Sequence, residues 1–517
     1  MISTSSNKFQ SLVSVLGISM GDEGKGRVVH EILDEINALT KSPVSGVMKA
    51  NGGANAGHTA AGLKLNLLPS GVGNPDVDDL IIGSGVVADP RKFIWEANPL
   101  ENRGLSVIKR LKIDEKCQVS DLSHRLLDLA WENYREKQLG EESRGSTGRG
   151  ISPAYCDETG QWQIFYQAFC EDRSLFAKDL RGRVNRAMDT IQYVCKVSTD
   201  DWFKFFEKLT QAETKANQTA INDKVFPKEE FNFVKFASEK PFTLNFDLLE
   251  QTYWEAGSKL TKCIIDIRTL LLEKLNQKKS VVVEFGQAYW LDKRHGFTPN
   301  VTASHTFSSE IFQSAGIPMR EISQVGCCKA YDTKVGTHHF ITQIKPEKNK
   351  LAHQLSKMEF GTSTGRQRMV GWFDSVEKGN ALRYGGFDWL VINKLDALSY
   401  TEEDFQELKI CVAYEDSSGK RITTVPRSEK IRKSLKPIYE KIPSWKEDIS
   451  QCSSFEHLPP AAKTYVARMI QSTCEVAYGN RLDQEALPEL LFIGVGPDPN
   501  QVIRDLPSLA ELLDSSV

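Results

Sequence analysis

One stretch decides the fold of this chain: Gly17-Ile18-Ser19-Met20-Gly21-Asp22-Glu23-Gly24-Lys25-Gly26-Arg27. The apolar run from Leu12 to Leu16 precedes it and predicts a buried strand, and the residues from Val28 to Leu33 repeat their apolar members at helical spacing. A strand, a glycine loop and a helix in this order form a phosphate cradle, because glycines let successive N–H groups point together and a helix N-terminus attracts anions. The sequence therefore predicts an α/β fold with a phosphate loop after its first strand.

The charged residues of this loop differ from those of an NTPase P-loop. A P-loop reads G-x-x-x-x-G-K-[ST], whereas here Ser19 stands at the first position and Gly26 follows Lys25, so the hydroxyl that would hold Mg²⁺ is absent. Two carboxylates, Asp22 and Glu23, lie in the loop instead, and they would repel phosphate unless they bind a metal ion or transfer a proton. We therefore interpret the loop as P-loop-like, with a functional carboxylate built into it, rather than as a solvated glycine turn.

Composition excludes several classes of protein. The 517 residues allow a large core, the hydrophobic fraction is 40%, the charged fraction is 26% and the formal net charge is -3. This balance favours neither disorder nor a surface for nucleic acid or membranes, and no apolar run is long enough for a signal peptide or a membrane span. The ten cysteines show no C-x-x-C spacing, which is typical of reduced thiols. We therefore expect a cytoplasmic protein that binds neither nucleic acid nor membrane.

Two further glycine-rich polar loops follow the first. The segment from Asn51 to Thr59 places Asn55 and His58 among residues too small to bury them, so we expect both side chains in a cleft. A histidine opposite an acid-bearing phosphate loop is a candidate for oxyanion stabilisation or acid catalysis. The segment from Gly145 to Pro153 predicts a third loop of this kind, and residues 174–275, which are charged, aromatic and largely helical in pattern, predict a peripheral helical layer.

Later polar segments are expected at the same cleft. A strand predicted from Ser280 to Phe285 leads into Gly286-Gln287, and open α/β sheets bind ligands at the carboxyl ends of their strands. The segment from Gly361 to Arg368 holds two arginines and three hydroxyls, which suits bidentate capture of a carboxylate or a phosphate.

The strand predicted from Trp389 to Ile392 ends in N-K-L-D, at Asn393 to Asp396. The Asp396 carboxylate can accept both the N1–H and the exocyclic amino group of guanine, whereas adenine has an acceptor at N1 and would be repelled. The stem of Lys394 can cover the base. Combined with the phosphate loop, the motif favours GTP over ATP.

With these residues in place, the chain resembles the adenylosuccinate synthetase family from Val15 to about Ile503. The motifs that carry the resemblance occur in the family's order: G-D-E-G-K-G at Gly21 to Gly26, N-A-G-H at Asn55 to His58, S-G-V-V at Ser84 to Val87, T-G-R-G at Thr147 to Gly150, E-x-G-Q at Glu284 to Gln287, H-G-x-x-P-x-V-T at His295 to Thr302, K-A-Y at Lys329 to Tyr331, T-G-R-x-R at Thr364 to Arg368, K-L-D at Lys394 to Asp396 and G-x-G-P at Gly494 to Pro497. The resemblance implies one elaborated domain over residues 1–517. Its core would be a large, mostly parallel twisted sheet flanked by helices, with a partly inserted helical layer at about 174–275.

The same resemblance implies a GTP-dependent ligase of the AMP branch of purine biosynthesis, which joins IMP and L-aspartate and releases GDP and phosphate. Asp22 would take the proton from N1 of the hypoxanthine, so that the 6-oxygen attacks the γ-phosphate of GTP and a 6-phosphoryl-IMP intermediate forms. His58 and Gln287 complete the implied catalytic set. Mg²⁺ is the implied cofactor, held by Asp22 and the backbone carbonyl of Gly57, and a homodimer is the implied assembly.

The resemblance also assigns the binding residues. The GTP set is Gly21, Glu23, Gly24, Lys25, Gly26, Arg27, Arg368, Lys394, Asp396, Gly494 and Gly496. The IMP set is Asp22, Lys25, Asn55, His58, Thr147, Gln287, Thr302 and Arg366. The aspartate set is Thr362, Ser363, Thr364, Arg366 and Arg368.

Three positions depart from the family's pattern. Soon after the T-G-R-G loop the family has an arginine that reaches the IMP phosphate of the neighbouring subunit, whereas this chain has Gln161, and its next arginine is Arg173. Either a shifted arginine serves, or the phosphate contact and its dependence on the dimer are altered. Gly494 stands where serine is common, and His305 is an unusual occupant that is either structural or in contact with substrate.

Two other functions stay open. A related ligase would act on another 6-oxopurine nucleotide such as dGMP, although the retention of Asp22 and of N-K-L-D favours IMP. A GTP-binding regulatory homologue without catalysis is the other hypothesis, and the intact Asp22, Lys25, His58 and Arg366 argue against it.

Overall fold

A central sheet organises the computed structural model, which describes residues 9–40, 43–60, 63–334, 339–360, 367–400, 407–482 and 486–514. Within these ranges the sheet has ten strands, numbered here in chain order: β1 Leu12–Gly17, β2 Gly46–Lys49, β3 Asp79–Ile82, β4 Leu111–Asp114, β5 Ile264–Ile265, β6 Val281–Ala288, β7 Ser323–Lys329, β8 Trp389–Asn393, β9 Glu489–Gly494 and β10 Val502–Ile503. Their order is β5-β4-β3-β2-β6-β1-β7-β8-β9-β10, and all neighbours are parallel except β9 and β10. The prediction of a large, mostly parallel sheet is confirmed.

Both faces of the sheet are buried, because its strands are apolar on both sides. In β1, Val13 and Val15 pack into one hydrophobic cluster, whereas Leu12 and Leu16 pack into a second cluster on the opposite face. Continuous apolar strands of this kind are typical of a parallel sheet that is covered by helices on both faces.

The helices form the two outer layers. The described residues contain α1 Lys25–Thr40, α2 Pro90–Glu101, α3 Leu122–Tyr134, α4 Ile151–Thr159, α5 Arg173–Asp189, α6 Thr199–Ala216, α7 Gln218–Asn222, α8 Phe246–Ser258, α9 Ile267–Asn276, α10 Ser309–Ala315, α11 Lys350–Met358, α12 Ser375–Gly385, α13 Glu429–Arg432, α14 Pro460–Tyr478 and α15 Leu509–Asp514. None of these helices combines the length and the apolar character that a membrane crossing requires.

Within the described ranges, the remaining strands form four smaller groups beside the central sheet. One group comprises Asp332–Lys334, Gln343–Ile344 and Met369–Gly371; the second comprises Phe373–Asp374, Glu407–Glu415, Arg421–Ile422 and Lys436–Pro443; the third comprises Gly52–Gly53, Val86–Ala88 and Gln118–Val119; the fourth is the pair His58–Ala60 and Leu63–Leu65.

The segment 174–275 is largely helical, as its pattern predicts, and it also supplies the edge strand β5. Its aromatic rings lie inside the layer. Trp202 is fully buried, with its ring centroid 5.0 Å from that of Phe206 and 5.4 Å from that of Phe242. These rings therefore pack α6 against the segment that carries Phe242.

One predicted boundary is wrong. The sequence suggests that the third glycine loop extends to Pro153, whereas α4 begins at Ile151. Ile151 and Pro153 are buried, and proline is tolerated in the first turn of a helix because the N–H it lacks would have no partner there. Burial of this apolar first turn therefore shortens the loop.

The topology brings the polar loops together. Parallel strands end at the same edge of a sheet, so the segments after β1, β2, β6, β7 and β8 all emerge on one side. The strand β1 lies between β6 and β7, which places the phosphate loop at the centre of this edge.

Candidate functional site

A cavity of about 940 Å³ lies at the carboxyl edge of the central sheet. Its wall includes the phosphate loop, the second glycine loop, residues that follow β6 and β8, and part of the third loop. This volume is at the upper end of the range for ligand sites, which suits a protein that binds more than one substrate.

The phosphate loop turns through left-handed backbone conformations. Gly21, Asp22 and Gly24 have φ values of 102°, 62° and 85°. Aspartate tolerates this region better than most residues, and a non-glycine residue there is often held for function. The carboxylate of Asp22 is part of the cavity wall, with Oδ2 at 2.6 Å from Nε of Arg368.

The neighbouring Glu23 is oriented differently. Its carboxylate is buried, where Oε1 accepts the N–H of Gly21 at 2.7 Å and Oε2 lies 3.0 Å from Nζ of Lys25. Burial alone would raise the pKa of Glu23, but the Lys25 charge and the backbone N–H groups outweigh it and hold the pKa below its ordinary value. Glu23 therefore fixes the shape of the loop and the position of Lys25, while Asp22 is left at the cavity.

The second glycine loop faces the phosphate loop. A side chain at Gly26 would lie 2.5 Å from the carbonyl oxygen of Thr59, so the two loops are in direct contact. His58 has Nδ1 at 3.4 Å from the carbonyl of Ala56, and Nε2 is buried without a hydrogen-bond partner among the described residues. Burial lowers the pKa of His58, although the Glu284 carboxylate, 3.9 Å from Nε2, partly opposes this effect. The imidazole is therefore neutral at neutral pH, and Nε2 is open to a substrate oxygen.

The amide of Gln287 is oriented by two residues to which the sequence assigned no role. Oε1 of Gln287 accepts hydrogen bonds from Nδ2 of Asn51 at 3.2 Å and from Oγ of Ser304 at 3.3 Å. Nε2 of Gln287 is buried and has no partner within the described part of the chain. Because the oxygen is occupied, Gln287 presents its N–H donors to the cavity. The sequence signal was weak, since Asn51 lies more than 230 positions from both partners.

The N-K-L-D residues lie beside the phosphate loop, where Nδ2 of Asn393 donates to the carbonyl of Glu23 at 2.7 Å. Oδ1 of Asp396 is buried without a hydrogen-bond partner in the described residues, and burial raises the pKa of this carboxyl group. Arg27 donates to the carbonyl groups of Gly496 and Asp498, the second at 2.8 Å, and thereby ties α1 to the segment that carries them. An unsatisfied buried acceptor is what guanine recognition requires.

A buried carboxylate joins residues from several segments around the cavity. Glu359 accepts hydrogen bonds from Lys329 at 2.9 Å, Arg368 at 2.7 Å, Lys394 at 2.7 Å and the hydroxyl of Tyr331. Lys329 and Tyr331 belong to the K-A-Y motif, whereas Glu359 belongs to none of the motifs that predicted the site.

Most of the residues proposed from the sequence lie in the cavity wall. They are Gly21, Asp22, Glu23, Gly24, Lys25, Gly26, Arg27, Asn55, Gly57, His58, Thr147, Gln287, Thr302, Arg368, Lys394, Asp396 and Gly496. Thr362, Ser363, Thr364 and Arg366 lie outside the described residues. Gly494 is not in the wall; its carbonyl accepts the N–H of Leu395 at 3.0 Å, which places it behind the surface.

Two positions that depart from the family's pattern have identified partners. Arg173 donates to both carboxylate oxygens of Glu250, at 2.8 and 2.6 Å, and is not in the wall of this chain's own cavity, so its service in a neighbouring subunit's site stays a prediction. His305 has Nδ1 at 3.2 Å from Oδ2 of the fully buried Asp292 and also lies outside the wall, which makes it structural.

These features define a class of protein. The chain is an α/β nucleotide-binding protein with a P-loop-like loop that carries a carboxylate, an opposing histidine and a guanine-type recognition motif. A family model described as adenylosuccinate synthetase matches residues 14–232 and 216–480. The chain therefore belongs to the adenylosuccinate synthetase family, as its motifs predict.

Individual relatives agree with this assignment. An adenylosuccinate synthetase of Lactococcus lactis subsp. cremoris is 34% identical over 464 residues, which cover 88% of this chain and 93% of that protein. The adenylosuccinate synthetase of Lactobacillus acidophilus is 31% identical over 498 residues, covering 95% and 97%. The solved structure of fully ligated adenylosuccinate synthetase from Plasmodium falciparum has a TM-score of 0.73 and 25% identity, covering 96% of this chain and 99% of that one.

Proposed function

We propose that this chain joins IMP and L-aspartate in a GTP-dependent reaction that yields adenylosuccinate, GDP and phosphate, in the AMP branch of purine biosynthesis. One observation carries the proposal: a carboxylate, Asp22, stands inside a phosphate loop at a cavity whose wall also holds the unsatisfied Asp396 acceptor. A loop that only bound phosphate would gain nothing from a negative charge there. Membership of the adenylosuccinate synthetase family supports the same reaction.

In the first step, Asp22 takes the proton from N1 of IMP, so that negative charge develops on the 6-oxygen. This oxygen attacks the γ-phosphorus of GTP, and the bond to the β-phosphate oxygen breaks to release GDP. The ammonium of Lys25 and the open N–H donors of Gln287 stabilise the transferring group, and His58 adds a donor in the tautomer that carries its proton on Nε2. Phosphoryl transfer depends mainly on such positioning and charge stabilisation.

In the second step, the amine of aspartate attacks C6, loses a proton and displaces phosphate. Arg368 would hold a substrate carboxylate, and this role is supported by its guanidinium, which lies in the cavity wall and donates to Glu359. The segment that completes the proposed aspartate site, 361–366, lies outside the described residues, and its role stays a prediction.

Mg²⁺ fits this site through oxygen ligands. The proposed protein ligands, the Asp22 carboxylate and the Gly57 carbonyl, lie in one cavity wall, and the ion pair with Arg368 engages Oδ2 of Asp22, which leaves Oδ1 for the ion. No group of three His, Cys, Asp or Glu side chains suited to a metal occurs in the described ranges, so phosphate oxygens would supply further ligands. When bound, the ion neutralises phosphate charge.

Three broader predictions rest on the family resemblance and the sequence. They are the homodimer, the cytoplasmic location and the organisation of residues 1–517 as one domain.

The decisive experiment is a coupled assay for GDP release that supplies IMP and aspartate separately and together. The wild-type chain should release GDP only when both are present, and Asp22→Ala should reduce the rate by about 10³-fold or more, because proton removal and charge stabilisation are lost together. Asp22→Asn should behave similarly while it keeps a residue suited to positive φ.

Asp34→Ala, on the exposed side of α1, is the matched control and should leave the rate unchanged. GDP release by Asp22→Ala within tenfold of wild type would contradict the proposed role. Faster turnover with dGMP than with IMP would identify the related ligase instead. GTP binding without turnover would identify a regulatory homologue.

A further inference from the structure

Glu359 is a fully buried carboxylate that four side chains share. Oε1 accepts from Lys394, Lys329 and Tyr331, and Oε2 accepts from Arg368 and Lys329. A carboxylate offers about four lone-pair sites, so these five contacts saturate it. Any movement of one donor therefore changes the space and the charge available to the others.

Two of these donors belong to different binding elements of the cavity wall. Lys394 belongs to the N-K-L-D loop, and its Nζ lies 2.7 Å from Oε1 of Glu359. Arg368 donates through one terminal nitrogen to Oε2 of Glu359 at 2.7 Å, and its Nε lies 2.6 Å from Oδ2 of Asp22. A continuous path of charged contacts thus runs from the N-K-L-D loop through Glu359 and Arg368 to Asp22 in the phosphate loop.

The charges along this path are not balanced within it. Glu359 and Asp22 carry two negative charges, whereas Lys329, Arg368 and Lys394 carry three positive charges. Burial lowers the pKa of Lys329 to about 8, although Glu359 opposes the shift. A substrate anion that draws Arg368 away from Glu359 therefore strengthens the remaining contacts of Lys394, because in a buried site the two cations compete for one counter-charge.

We propose that Glu359 is a positioning residue that couples guanine binding at Lys394 to substrate binding at Arg368, beside Asp22. The inference rests on the proposed function, because it assumes that GTP and aspartate occupy the two ends of this path. Its consequence is that GTP and aspartate each change the affinity of the other by the same factor, and that this factor depends on the Glu359 charge.

The test uses a non-hydrolysable GTP analogue with saturating IMP, titrated by calorimetry in the absence and presence of saturating L-aspartate. In the wild-type chain we expect aspartate to change the dissociation constant of the analogue about fivefold or more. In Glu359→Gln, which keeps the size of the side chain but removes its charge, we expect the two dissociation constants to agree within twofold.

A matched control is Glu250→Gln. Glu250 is also a buried glutamate in a bidentate pair with an arginine, Arg173, but it lies away from the cavity wall, so its loss should leave the coupling factor unchanged. A general loss of stability would affect both variants, whereas loss of coupling should be confined to Glu359→Gln.

Lys394→Met is the second variant, and it tests the coupling if Glu359→Gln does not fold. It keeps the stem over the base, loses the contact with Glu359 and should also abolish coupling. Coupling that persists in either folded variant, or its absence in the wild type, would overturn the inference. These outcomes are distinct from failure of the proposed function, which would appear as no GDP release by the wild type.

Discussion

Buried charge is arranged differently in the helical layer and in the cavity. Where α2 meets the helical layer, Arg91 donates to both oxygens of Asp89 at 3.1 and 2.7 Å, and its guanidinium lies 4.3 Å from the ring centroid of Tyr253. In the cavity, Nε2 of His58 and Oδ1 of Asp396 are buried with no hydrogen-bond partner among the described residues. A closed pair contributes to the fold, whereas an open buried atom costs free energy until a ligand satisfies it. Nε1 of Trp202 in the helical layer is also buried without a hydrogen-bond partner among the described residues, so an open atom alone is not diagnostic. The open atoms of His58, Gln287 and Asp396 identify the functional region because all three belong to the wall of one cavity.

The largest effect in this comparison should come from Asp396→Asn. The two N–H donors of guanine would lose their charged acceptor. A hydrogen bond to a charged group contributes about 1.5–3 kcal/mol, so kcat/KM for GTP should fall about 100-fold. Xanthosine triphosphate should become the better substrate, because its 2-oxygen can accept from the new amide group. Steady-state GDP and XDP release with IMP and aspartate measures both effects.

The wild-type chain with xanthosine triphosphate is the control, and it should show the reverse preference. If Asp396→Asn kept the preference of the wild type for GTP, the open carboxylate would not be the guanine acceptor, and the contrast between the two regions would lose its functional meaning.

The residues that carry these open atoms could be predicted from the sequence. Asp22, His58 and Asp396 each belong to a short motif in which the residue types specify a chemistry, and each lies in the cavity wall. The order of strand, glycine loop and helix likewise predicted β1 and α1, because local spacing determines both.

The residues that hold the open atoms in place could not be predicted in this way. Glu359 lies 30 residues from Lys329 and 35 from Lys394, and Asn51 lies 236 from Gln287. Such pairs form only when the strands of the sheet are aligned, so no local sequence pattern predicts them. The position of Gly494 behind the cavity wall was missed for the same reason, since it depends on how β9 pairs with β8.

The helical layer should respond to mutation in its stability. Trp202 is fully buried against Phe206 and Phe242, so Trp202→Ala should lower the free energy of unfolding by about 3–5 kcal/mol, the cost of removing a buried tryptophan from a close-packed core. Below the unfolding transition, kcat/KM should stay within about threefold of wild type, because neither Trp202 nor the two rings packed against it belong to the cavity wall. Chemical denaturation and the GDP assay measure the two quantities.

Phe203→Ala, at a partly buried position of the same helix, is the graded control and should cost less stability. A large loss of activity in folded Trp202→Ala, with stability unchanged, would show that the helical layer acts on the reaction and is not only a packing element.

The smallest effect should come from Gln161→Ala. Gln161 is an exposed residue at the end of α4 with φ of 61°, it lies outside the cavity wall, and its backbone N–H, which alanine retains, donates to the carbonyl of Glu158 at 3.1 Å. We therefore expect KM for IMP and kcat to change by less than about twofold, in line with surface substitutions generally.

Gln161→Arg is the informative second variant, because it places a cation where the family has one. If KM for IMP fell in Gln161→Arg and the fall disappeared on dilution to monomers, the position would reach a neighbouring subunit's site, and the wild-type chain would be a form of the enzyme that had lost this contact. If Gln161→Ala itself raised KM for IMP several-fold, Gln161 would contribute to nucleotide binding although it lies outside the wall of its own cavity. The functional region would then have to be defined on the assembled dimer and not on the single chain.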